Sequence, residues 1–428
     1  MNQRFSSRRT ALKVGAAALA APCFVPSRVF GASEKLHIGV IGVGGRGAAD
    51  LGAVSTESIV ALCDVDERHL ATASKKHPAA KTYHDYRQLL DQQDLDAVVV
   101  ATPDHHHAPA TMRAMRRDLH VYCEKPLTHS VEEARKITQV AAERSLVTQM
   151  GTQNHEHPSY VRLVNLLRSG VIGNIREVHI ITDRPGGWWS QGIDRPSQKQ
   201  AGPSHLHWDL WLGPATERDY HEAYVPFRWR GWWDFGCGAI GDMAIHLMDP
   251  TFQALDLGGR LVKVKSQGPP PHEHSGPTHM TTQFTFPAQG DQSEVSVYWY
   301  EGATKPPAEL AAKLPMNGSL FIGSGGEISI RHSQQPRILK GGDVAADKVK
   351  TARFSGTHHH QQWITACKTG SATGSSFAYA GPFTEVVLLG NVAYRVGREI
   401  AYNPATMSIG DKEADALLRK DYRTGWEV

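Results

Sequence analysis

A short glycine-rich turn constrains this chain more than any other feature. It follows the β-rich run of residues 35–41, and glycine stands at positions 42, 44 and 47, where a helix is predicted to start. Strand, GxGxxG turn and helix in this order let the backbone approach a pyrophosphate closely, and the helix N-terminus favours its negative charge. We therefore expect Gly42, Gly44 and Gly47 to form a dinucleotide-binding turn.

An acidic residue ends the second predicted strand, residues 58–63, at the position where a dinucleotide fold needs one. Asp64 lies 22 residues after Gly42. A carboxylate there binds the ribose hydroxyls of NAD and repels the 2′-phosphate of NADP. The sequence therefore predicts NAD as the cofactor and disfavours NADP.

Two further apolar runs, residues 95–101 and 118–123, are typical of parallel strands that are buried on both faces of a sheet. With the first two strands and the helical segments between them, they give a β-α-β alternation. Residues 34–153 are therefore predicted to form a Rossmann dinucleotide-binding domain.

Segments rich in polar residues follow directly after both of these runs. Thr102 and Pro103 come after the first, and Glu124 and Lys125 come after the second. In doubly wound sheets, ligands bind at the carboxyl ends of the strands. All four residues are therefore expected beside the cofactor.

These motifs together resemble the glucose–fructose oxidoreductase and inositol dehydrogenase (Gfo/Idh/MocA) family. The matching features are the GxGxxG turn, Thr-Pro followed by His107, and the Glu-Lys-Pro motif that contains Lys125. The resemblance implies that Lys125 lies at the substrate before a cis Pro126, that His107 is functional, and that the chain forms homo-oligomers. The full set expected to bind the cofactor is Gly42, Gly44, Gly47, Asp64, Thr102, Pro103, His107, Glu124 and Lys125.

The alternation of strands and helices changes after residue 153, and residues 154–428 are predicted to form a second domain. The whole chain is thus expected to be an α/β protein. The resemblance implies that its C-terminal α+β domain has a large, open, mainly antiparallel sheet used for substrate and oligomer contacts. The expected strands are residues 175–182, 261–265, 279–286, 294–300, 320–322 and 327–330, with helices over 158–169 and 382–399.

A glycine-rich turn followed by a predicted helix carries Asp242 and His246. Their spacing places both on one helix face, where a carboxylate can orient an imidazole of near-neutral pKa that removes a hydroxyl proton. By spacing alone, the pair could instead be a packed histidine with a helix N-terminal charge, or two zinc ligands without an identifiable third. The resemblance, which includes this Asp-x-x-x-His motif, implies Lys125, Asp242 and His246 as the catalytic set, with no metal.

Nine tryptophan and tyrosine residues cluster between positions 188 and 233. Flat apolar faces with polar edges suit sugar rings, so a carbohydrate or polyol substrate is expected. The candidate substrate residues are Trp208, Tyr224, Arg228 and Trp233. Core packing and an oligomer interface are the alternatives for any one of these aromatic residues.

Two runs of three histidines, residues 105–107 and 358–360, are expected at loops. Consecutive side chains on an extended segment point to opposite faces, so a run of this kind is not expected to chelate a metal. We interpret these histidines as solvent-facing or close to the nucleotide.

Residues 1–33 have the pattern of an export signal, with basic residues, a short apolar run and small residues near the end. The adjacent Arg8 and Arg9 resemble a twin-arginine (Tat) signal, whose machinery exports folded proteins. A basic disordered tail and a lipoprotein anchor at Cys23 are the alternatives. We therefore expect a periplasmic or otherwise exported protein whose tightly bound cofactor is loaded before export.

The remaining composition argues against other partners. The chain has 46 basic and 43 acidic residues, and five of the basic ones lie in residues 1–33, which contain no acidic residue. Without that segment the charge is slightly negative, so nucleic-acid binding is not expected. No later apolar run is long enough for a membrane helix, so no stable membrane insertion is expected after signal cleavage. The four later cysteines form no CxxC pair and are expected to be free thiols.

Three functions are compatible with these features. The first is oxidation or reduction of a secondary hydroxyl of a sugar, polyol or glycoside with tightly bound NAD. The second is redox-neutral glycoside hydrolysis through a transient keto-sugar, because an exported enzyme has no pool of free NAD. The third is a non-catalytic NAD-holding protein, which the presence of both Lys125 and His246 disfavours.

Overall fold

The computed structural model describes residues 34–290, 293–341 and 358–428. They form two β-sheets flanked by helices, one of six strands and one of eight. The predicted export signal lies outside the described residues. Among the described helices, none is both long and apolar enough to cross a membrane.

The first sheet is wholly parallel and has helices on both faces. Its strands are β1 (His37–Ile41), β2 (Ser58–Cys63), β3 (Lys81–Tyr83), β4 (Ala97–Val100), β5 (His120–Glu124) and β6 (Thr148–Gly151). The helices between them are α1 (Gly45–Val54), α2 (Glu67–Lys76), α3 (Tyr86–Leu90), α4 (Asp104–Met115) and α5 (Val131–Glu143). The strand order β3-β2-β1-β4-β5-β6 reverses direction between β1 and β4, which is where such sheets open a ligand crevice.

The second sheet is mainly antiparallel, and among its described strands only β7 and β10 pair in parallel. Its strands are β7 (Ile175–Ile181), β8 (Val262–Gln267), β9 (Met280–Phe286), β10 (Val295–Glu301), β11 (Gly318–Gly323), β12 (Glu327–Arg331), β13 (Arg337–Lys340) and β14 (Ile400–Tyr402). They lie in the order β13-β12-β11-β7-β10-β9-β8-β14. The sequence-based fold class, a Rossmann domain followed by a domain with a large antiparallel sheet, is confirmed.

The remaining helices cover this sheet and connect the two domains. They are α6 (Pro158–Arg168), α7 (Trp208–Leu212), α8 (Gly238–Leu247), α9 (Asp249–Leu255), α10 (Ala308–Ala311), α11 (His359–Thr369), α12 (Phe377–Val396) and α13 (Lys412–Ala416), with a short 3-10 helix at Arg228–Gly231. Both α11 and α12 return to the first domain. Trp363 and Ile364 of α11 are fully buried in the core on the α1 side of the parallel sheet, while α12 packs against α5.

Burial patterns explain why the two sheets have different sequences. All four residues of β4 are buried, because helices cover both faces of the parallel sheet. In β8 buried and exposed residues alternate along the whole strand, since only one face meets the core. The four described cysteines are buried and unpaired, which confirms the prediction of free thiols.

Five of the six histidines in the two histidine runs are buried in helices, so the loop prediction was wrong for them, whereas His358 is exposed just before α11. Residues 105–107 lie in the first turn of α4, and His359 and His360 begin α11. Their ring nitrogens find buried partners rather than water: Nε2 of His106 lies 2.8 Å from the carbonyl oxygen of Trp211, and Nε2 of His360 lies 2.9 Å from Asp50. Sequence reasoning missed this because it took the runs as extended.

Candidate active site

A cleft of about 910 Å³ runs between the parallel sheet and the second domain. One side is formed by the turn between β1 and α1 and by the ends of β2, β4 and β5. The other side is formed by α8 and by loops of the second domain. The cleft brings together most of the site residues expected from sequence, namely Gly42, Gly44, Asp64, Thr102, Pro103, Glu124, Lys125, Asp242 and His246.

The glycine turn is shaped by close backbone contacts. Gly42 has a φ of +83°, and a Cβ atom there would lie 2.6 Å from the carbonyl oxygen of Ala101. A Cβ atom on Gly47 would lie 1.9 Å from the carbonyl oxygen of Gly42. The N-cap of α1 is Gly44, which has no side chain that could accept from the first N–H groups of the helix. This cradle fits a pyrophosphate.

Asp64 ties the same turn to the end of β2. Its Oδ2 atom accepts hydrogen bonds from the backbone N–H of Val43, at 2.9 Å, and of Gly44, at 3.1 Å. The hydroxyl oxygen of Thr102, at the end of β4, is buried without a hydrogen-bond partner among the described residues. The glycine cradle, the carboxylate and this unpartnered hydroxyl fit NAD, with Asp64 placed for the adenosine ribose.

Lys125 reaches across the cleft from β5 to α8. Its Nζ donates to Oδ1 of Asp242 at 2.7 Å and to the backbone oxygen of Asp242 at 2.9 Å. The peptide bond between Lys125 and Pro126 is cis. Although burial opposes ionisation, the charges of Lys125 and Arg230 lower the pKa of Asp242 to about 2. The pair is therefore an ammonium held by a stable carboxylate at the centre of the cleft.

His246 lies one helical turn after Asp242 on α8, but its ring does not meet the carboxylate. Within the described ranges no hydrogen bond joins the two side chains, and Nδ1 of His246 is buried without a partner. Burial, followed by the charges of Lys125 and His332, lowers the pKa of His246 well below 6.5. The structure thus corrects the expected Asp242–His246 contact and the near-neutral pKa, because Asp242 pairs with Lys125 instead. The imidazole is neutral at physiological pH.

Glu124 is buried behind Lys125 and connects the glycine turn to the end of β5. It accepts hydrogen bonds from Gln153 and, at 3.3 Å, from Nε of Arg46 in the turn. Burial, with the nearby charge of Asp50, raises the pKa of Glu124 to about 8. Glu124 therefore lines the cofactor side of the cleft as a hydrogen-bonding group.

Comparison with known proteins identifies both domains. The family model for oxidoreductases with an NAD-binding Rossmann fold matches residues 36–152. The model for the C-terminal alpha/beta domain of the same family matches residues 160–293. The chain belongs to the Gfo/Idh/MocA oxidoreductase family. Its N-terminal domain is the NAD-binding domain of that family.

Similar curated proteins include inositol 2-dehydrogenases and glycosyl hydrolase family 109 proteins. An inositol 2-dehydrogenase of Rubrobacter xylanophilus is 34% identical over 33% of this chain and 42% of its own length. A glycosyl hydrolase family 109 protein 2 of Shewanella sp. is 30% identical over 42% of each chain. The alignments therefore span less than half the length of these relatives.

Solved structures share the fold along most of the chain. The WlbA dehydrogenase of Bordetella pertussis, solved with NADH and UDP-GlcNAcA, is 17% identical, with a TM-score of 0.62 over 86% of this chain and 97% of that one. An oxidoreductase of Agrobacterium radiobacter, solved with NAD+, L-tartaric acid and magnesium, is 16% identical, with a TM-score of 0.57 over 87% of this chain and 100% of that one. At these identities the likeness shows the fold alone.

Two residues expected to bind the cofactor lie behind the cleft. Gly47 sits in the first turn of α1, where its missing side chain makes room for Gly42. His107 is buried, and its Nδ1 and Nε2 atoms lie 2.7 Å and 2.9 Å from the carbonyl oxygens of Pro126 and Thr102. His107 therefore joins the loops after β4 and β5, which is the position the Gfo/Idh/MocA resemblance marked as functional.

The four candidate substrate residues do not line the cleft. Trp208 stacks on Trp211 at 4.9 Å between ring centroids and donates to the carbonyl oxygen of Arg218. Tyr224 is buried, Trp233 donates to the carbonyl oxygen of His272, and Arg228 is solvent-exposed. Packing accounts for all three aromatic residues, because Trp233 packs against the main core while Trp208 and Tyr224 belong to a separate small core. The buried members of that small core are Trp211, Leu212, Ala215, Tyr224, Trp229, Trp232 and Phe235.

Trp188 and Phe227, instead of the four candidates, lie at the rim of the cleft. Trp188 and Phe227 are 48% and 39% exposed, with ring centroids 6.4 Å apart. The guanidinium of Arg184 lies 3.6 Å above the ring of Trp188, and that of Arg230 lies 4.2 Å from the ring of Phe227. The sequence placed Trp188 in the aromatic cluster but gave no signal that separated it from the buried members.

His332 is the main site residue that sequence reasoning missed. It follows β12, and its ring lies 5.5 Å from that of His246. Its Nε2 faces the amide nitrogen of Asn154 at 3.0 Å and its Nδ1 faces the hydroxyl of Tyr160 at 2.8 Å. Because the amide is a donor, Nε2 accepts and Nδ1 carries the proton. Burial, followed by the charges of His157 and Lys125, lowers the pKa of His332 to about 4.

Proposed function

We propose that this protein is an exported NAD-dependent oxidoreductase that oxidises or reduces a secondary hydroxyl of a sugar, polyol or glycoside. The observation that carries the proposal is the Lys125–Asp242 pair beside neutral His246, in the same cleft as the nucleotide turn. A protonated donor and a neutral base next to a dinucleotide cradle are what alcohol oxidation requires.

The residues divide this work among them. NAD, when bound, supplies the hydride acceptor. Two oxygen atoms of Asp242 hold the ammonium of Lys125, which leaves its third N–H for the oxygen of the substrate hydroxyl. His246, kept neutral by burial and by the Lys125 charge, accepts the hydroxyl proton. Asp242 acts through Lys125, so it is a positioning residue for the donor.

The rim supports a carbohydrate as the substrate class. Trp188 and Phe227 expose large flat faces at the mouth of the cleft, and tryptophan faces with adjacent guanidinium groups suit a sugar ring with hydroxyls at its edge. Such a platform lies outside the Lys125–His246 pair. We therefore favour a glycoside or oligosaccharide, whose second ring reaches the rim, over a single small polyol.

The export part of the proposal rests on the signal pattern of residues 1–33, and its twin-arginine route rests on Arg8 and Arg9. Replacing both with lysine should retain the protein in the cytoplasm, measured by cell fractionation with the enzyme folded and loaded. Export that continues in the double variant would contradict a twin-arginine route.

Two measurements on the same purified protein test the catalytic proposal. The protein is purified without added nucleotide and denatured, and the released nucleotide is identified. Intact protein is then mixed with monosaccharides and aryl glycosides while the near-ultraviolet absorbance of reduced nicotinamide is followed. A lasting rise with one substrate supports net oxidation. The absence of any bound nicotinamide nucleotide would contradict tight binding.

Redox-neutral glycoside hydrolysis is the second candidate function. The relative named glycosyl hydrolase family 109 protein matches a longer stretch of this chain than the inositol 2-dehydrogenase, and the exposed rim suits a two-ring substrate. Oxidation of one sugar carbon, with its hydride passed to bound NAD, would acidify the neighbouring C–H and allow elimination of the glycosidic substituent. After water adds to the resulting double bond, the same hydride would return to the carbonyl carbon, so the cofactor would end in its starting state. Release of the aryl group without a lasting absorbance rise would favour this reaction over net oxidation.

A further inference from the structure

Glu67, His84 and His207 converge beside the adenosine end of the cleft, outside the Lys125–His246 centre. One ligand atom from each lies within 4.8 Å of those of the other two. Glu67 begins α2 and His84 follows β3, both in the Rossmann domain, whereas His207 precedes α7 in the second domain. The three side chains therefore meet across the junction of the two domains.

The backbone fixes the approach of these residues. The N–H of Glu67 donates to the carbonyl oxygen of His205 at 2.9 Å, and the N–H of His207 donates to that of Val65 at 2.9 Å. Asp66 and Leu206 form an antiparallel bridge between these bonds. This two-stranded contact sets the positions of Glu67 and His207 before any side-chain contact forms.

A similar contact places His84. The N–H of Asp64 donates to the carbonyl oxygen of Tyr83 at 3.2 Å, which holds the chain next to His84 against the end of β2. Nδ1 of His84 lies 3.1 Å from the carbonyl oxygen of Asp64. Such a bond to a backbone oxygen orients the ring and leaves Nε2 as the lone-pair donor, which is the usual arrangement of a metal-binding histidine.

The two rings and the carboxylate already face one another. The ring centroids of His84 and His207 are 4.1 Å apart, and Nε2 of His207 lies 3.2 Å from Oε1 of Glu67. Two imidazole nitrogens and one carboxylate oxygen are ligands that zinc accepts, with a water molecule in the fourth position. The side chains of Glu67 and His207 are 52% and 38% exposed, which leaves room for that water.

We propose that Glu67, His84 and His207 bind a divalent transition-metal ion, zinc in the first instance, and that the ion fastens residues 203–208 of the second domain to the edge of the Rossmann sheet. The site is separate from the proposed redox centre. Its role is to stabilise the domain junction beside Asp64, because one ion replaces a single hydrogen bond between Glu67 and His207 with bonds to three chain segments.

The test uses the full chain, freed of metal with a chelator, and zinc chloride alone as the titrant in calorimetry. We expect one equivalent of zinc to bind to the wild type, with affinity reduced by about tenfold or more in His84→Gln and in His207→Gln. The matched control is His205→Gln, which removes a histidine from the same segment as His207. We expect its zinc affinity to equal that of the wild type.

Thermal unfolding completes the test. Without metal, all four proteins should unfold at similar temperatures, which shows that the variants fold. Zinc should raise the unfolding temperature of the wild type and of His205→Gln but not of His84→Gln. Zinc binding that is unchanged in His84→Gln and His207→Gln, or the absence of a stoichiometric site in the wild type, would overturn the proposal.

Discussion

The two walls of the cleft are built in different ways. The cofactor wall consists of the β1–α1 turn and the ends of β2, β4 and β5, and its shape depends on main-chain contacts, such as those of Asp64 with two backbone N–H groups. The substrate wall consists of α8 with Arg184, Trp188, Phe227, Arg230, Asn317 and His332. Those side chains come from separate loops and strand ends. The cofactor wall is thus set mainly by local main-chain contacts, and the substrate wall by side chains that tertiary packing brings next to α8.

Because of this difference, the two walls should tolerate different kinds of substitution. On the cofactor wall a single added methyl group meets a carbonyl oxygen, so the wall tolerates little change in volume. On the substrate wall Trp188 and Phe227 are 48% and 39% exposed, so substitutions there should alter recognition while leaving the fold intact. Lys125 and Asp242 connect the two walls, and they offer the most direct way to break the arrangement.

Lys125→Ala should have the largest effect. We expect turnover to fall roughly 10³-fold, because the variant loses both the donor to the substrate oxygen and the partner of the Asp242 carboxylate. Steady-state rates on the best substrate, with nucleotide content measured in parallel, provide the check. Lys136→Ala is the control, since Lys136 is a 40% exposed side chain of α5 that pairs with Glu132 at the surface. A fall in rate shared by both variants would argue against a role for the ammonium.

Gly47→Ala tests the cofactor wall. The new Cβ atom would lie 1.9 Å from the carbonyl oxygen of Gly42, so the turn must move. We expect nucleotide affinity to fall by about tenfold or more, in line with a strain of ~1–3 kcal/mol. The measurement is the amount of nicotinamide nucleotide that co-purifies with the protein and its dissociation constant after removal.

The same helix offers a control with the opposite sign. Gly52 also lies in α1, and a Cβ atom there meets nothing within 4 Å. Gly52→Ala should retain its nucleotide and gain about 1 kcal/mol in the free energy of unfolding from helix propensity. Equal nucleotide loss in both variants would mean that the close contact at Gly47 does not shape the site.

The cofactor wall could be predicted from sequence because its requirements are local. Glycine spacing, strand length and the residue after each strand placed Gly42, Asp64, Thr102 and Lys125 in one cleft. The parallel first sheet and the mainly antiparallel second sheet followed from the strand patterns together with the family resemblance, whereas the order of the strands was not predicted. His246 was predicted correctly to lie on the same helix as Asp242, but the Asp242 carboxylate pairs with Lys125 instead of His246. Lys125 is 117 residues from Asp242, so no local pattern predicts that pair.

The substrate wall could not be predicted in the same way. Trp188 and Trp208 look alike in sequence, yet one is at the rim and the other packs in a loop core with Trp211. What separates them is the path of the loop between β7 and α8, which tertiary packing sets. His332 carries no motif, because its place beside His246 depends on the pairing of β11 with β12.

Trp188→Ala and Trp208→Ala should separate these two roles. Removing exposed Trp188 should raise KM for a glycoside by roughly 2–10-fold and leave the unfolding temperature unchanged, since one aromatic contact is worth ~0.5–1.5 kcal/mol. Removing Trp208 should lower the free energy of unfolding by about 3 kcal/mol and leave KM unchanged in the folded fraction. The reverse pattern would return Trp208 to the substrate site.

The pH dependence should show the smallest effect, and it tests the state of His246 on the substrate wall. Burial and the Lys125 charge lower the pKa of His246 well below 6.5, so the base is already neutral at that pH and loses activity only when the pH falls further. With a substrate that does not titrate, the plot of kcat/KM against pH should therefore be flat through 6.5 and decline well below it. An acid limb at or above 6.5 would mean that the imidazole is more exposed, or farther from Lys125, than the structure places it. The pH profile thus tests whether His246 is buried and close to the Lys125 charge during turnover. The rate of Lys125→Ala alone does not test this.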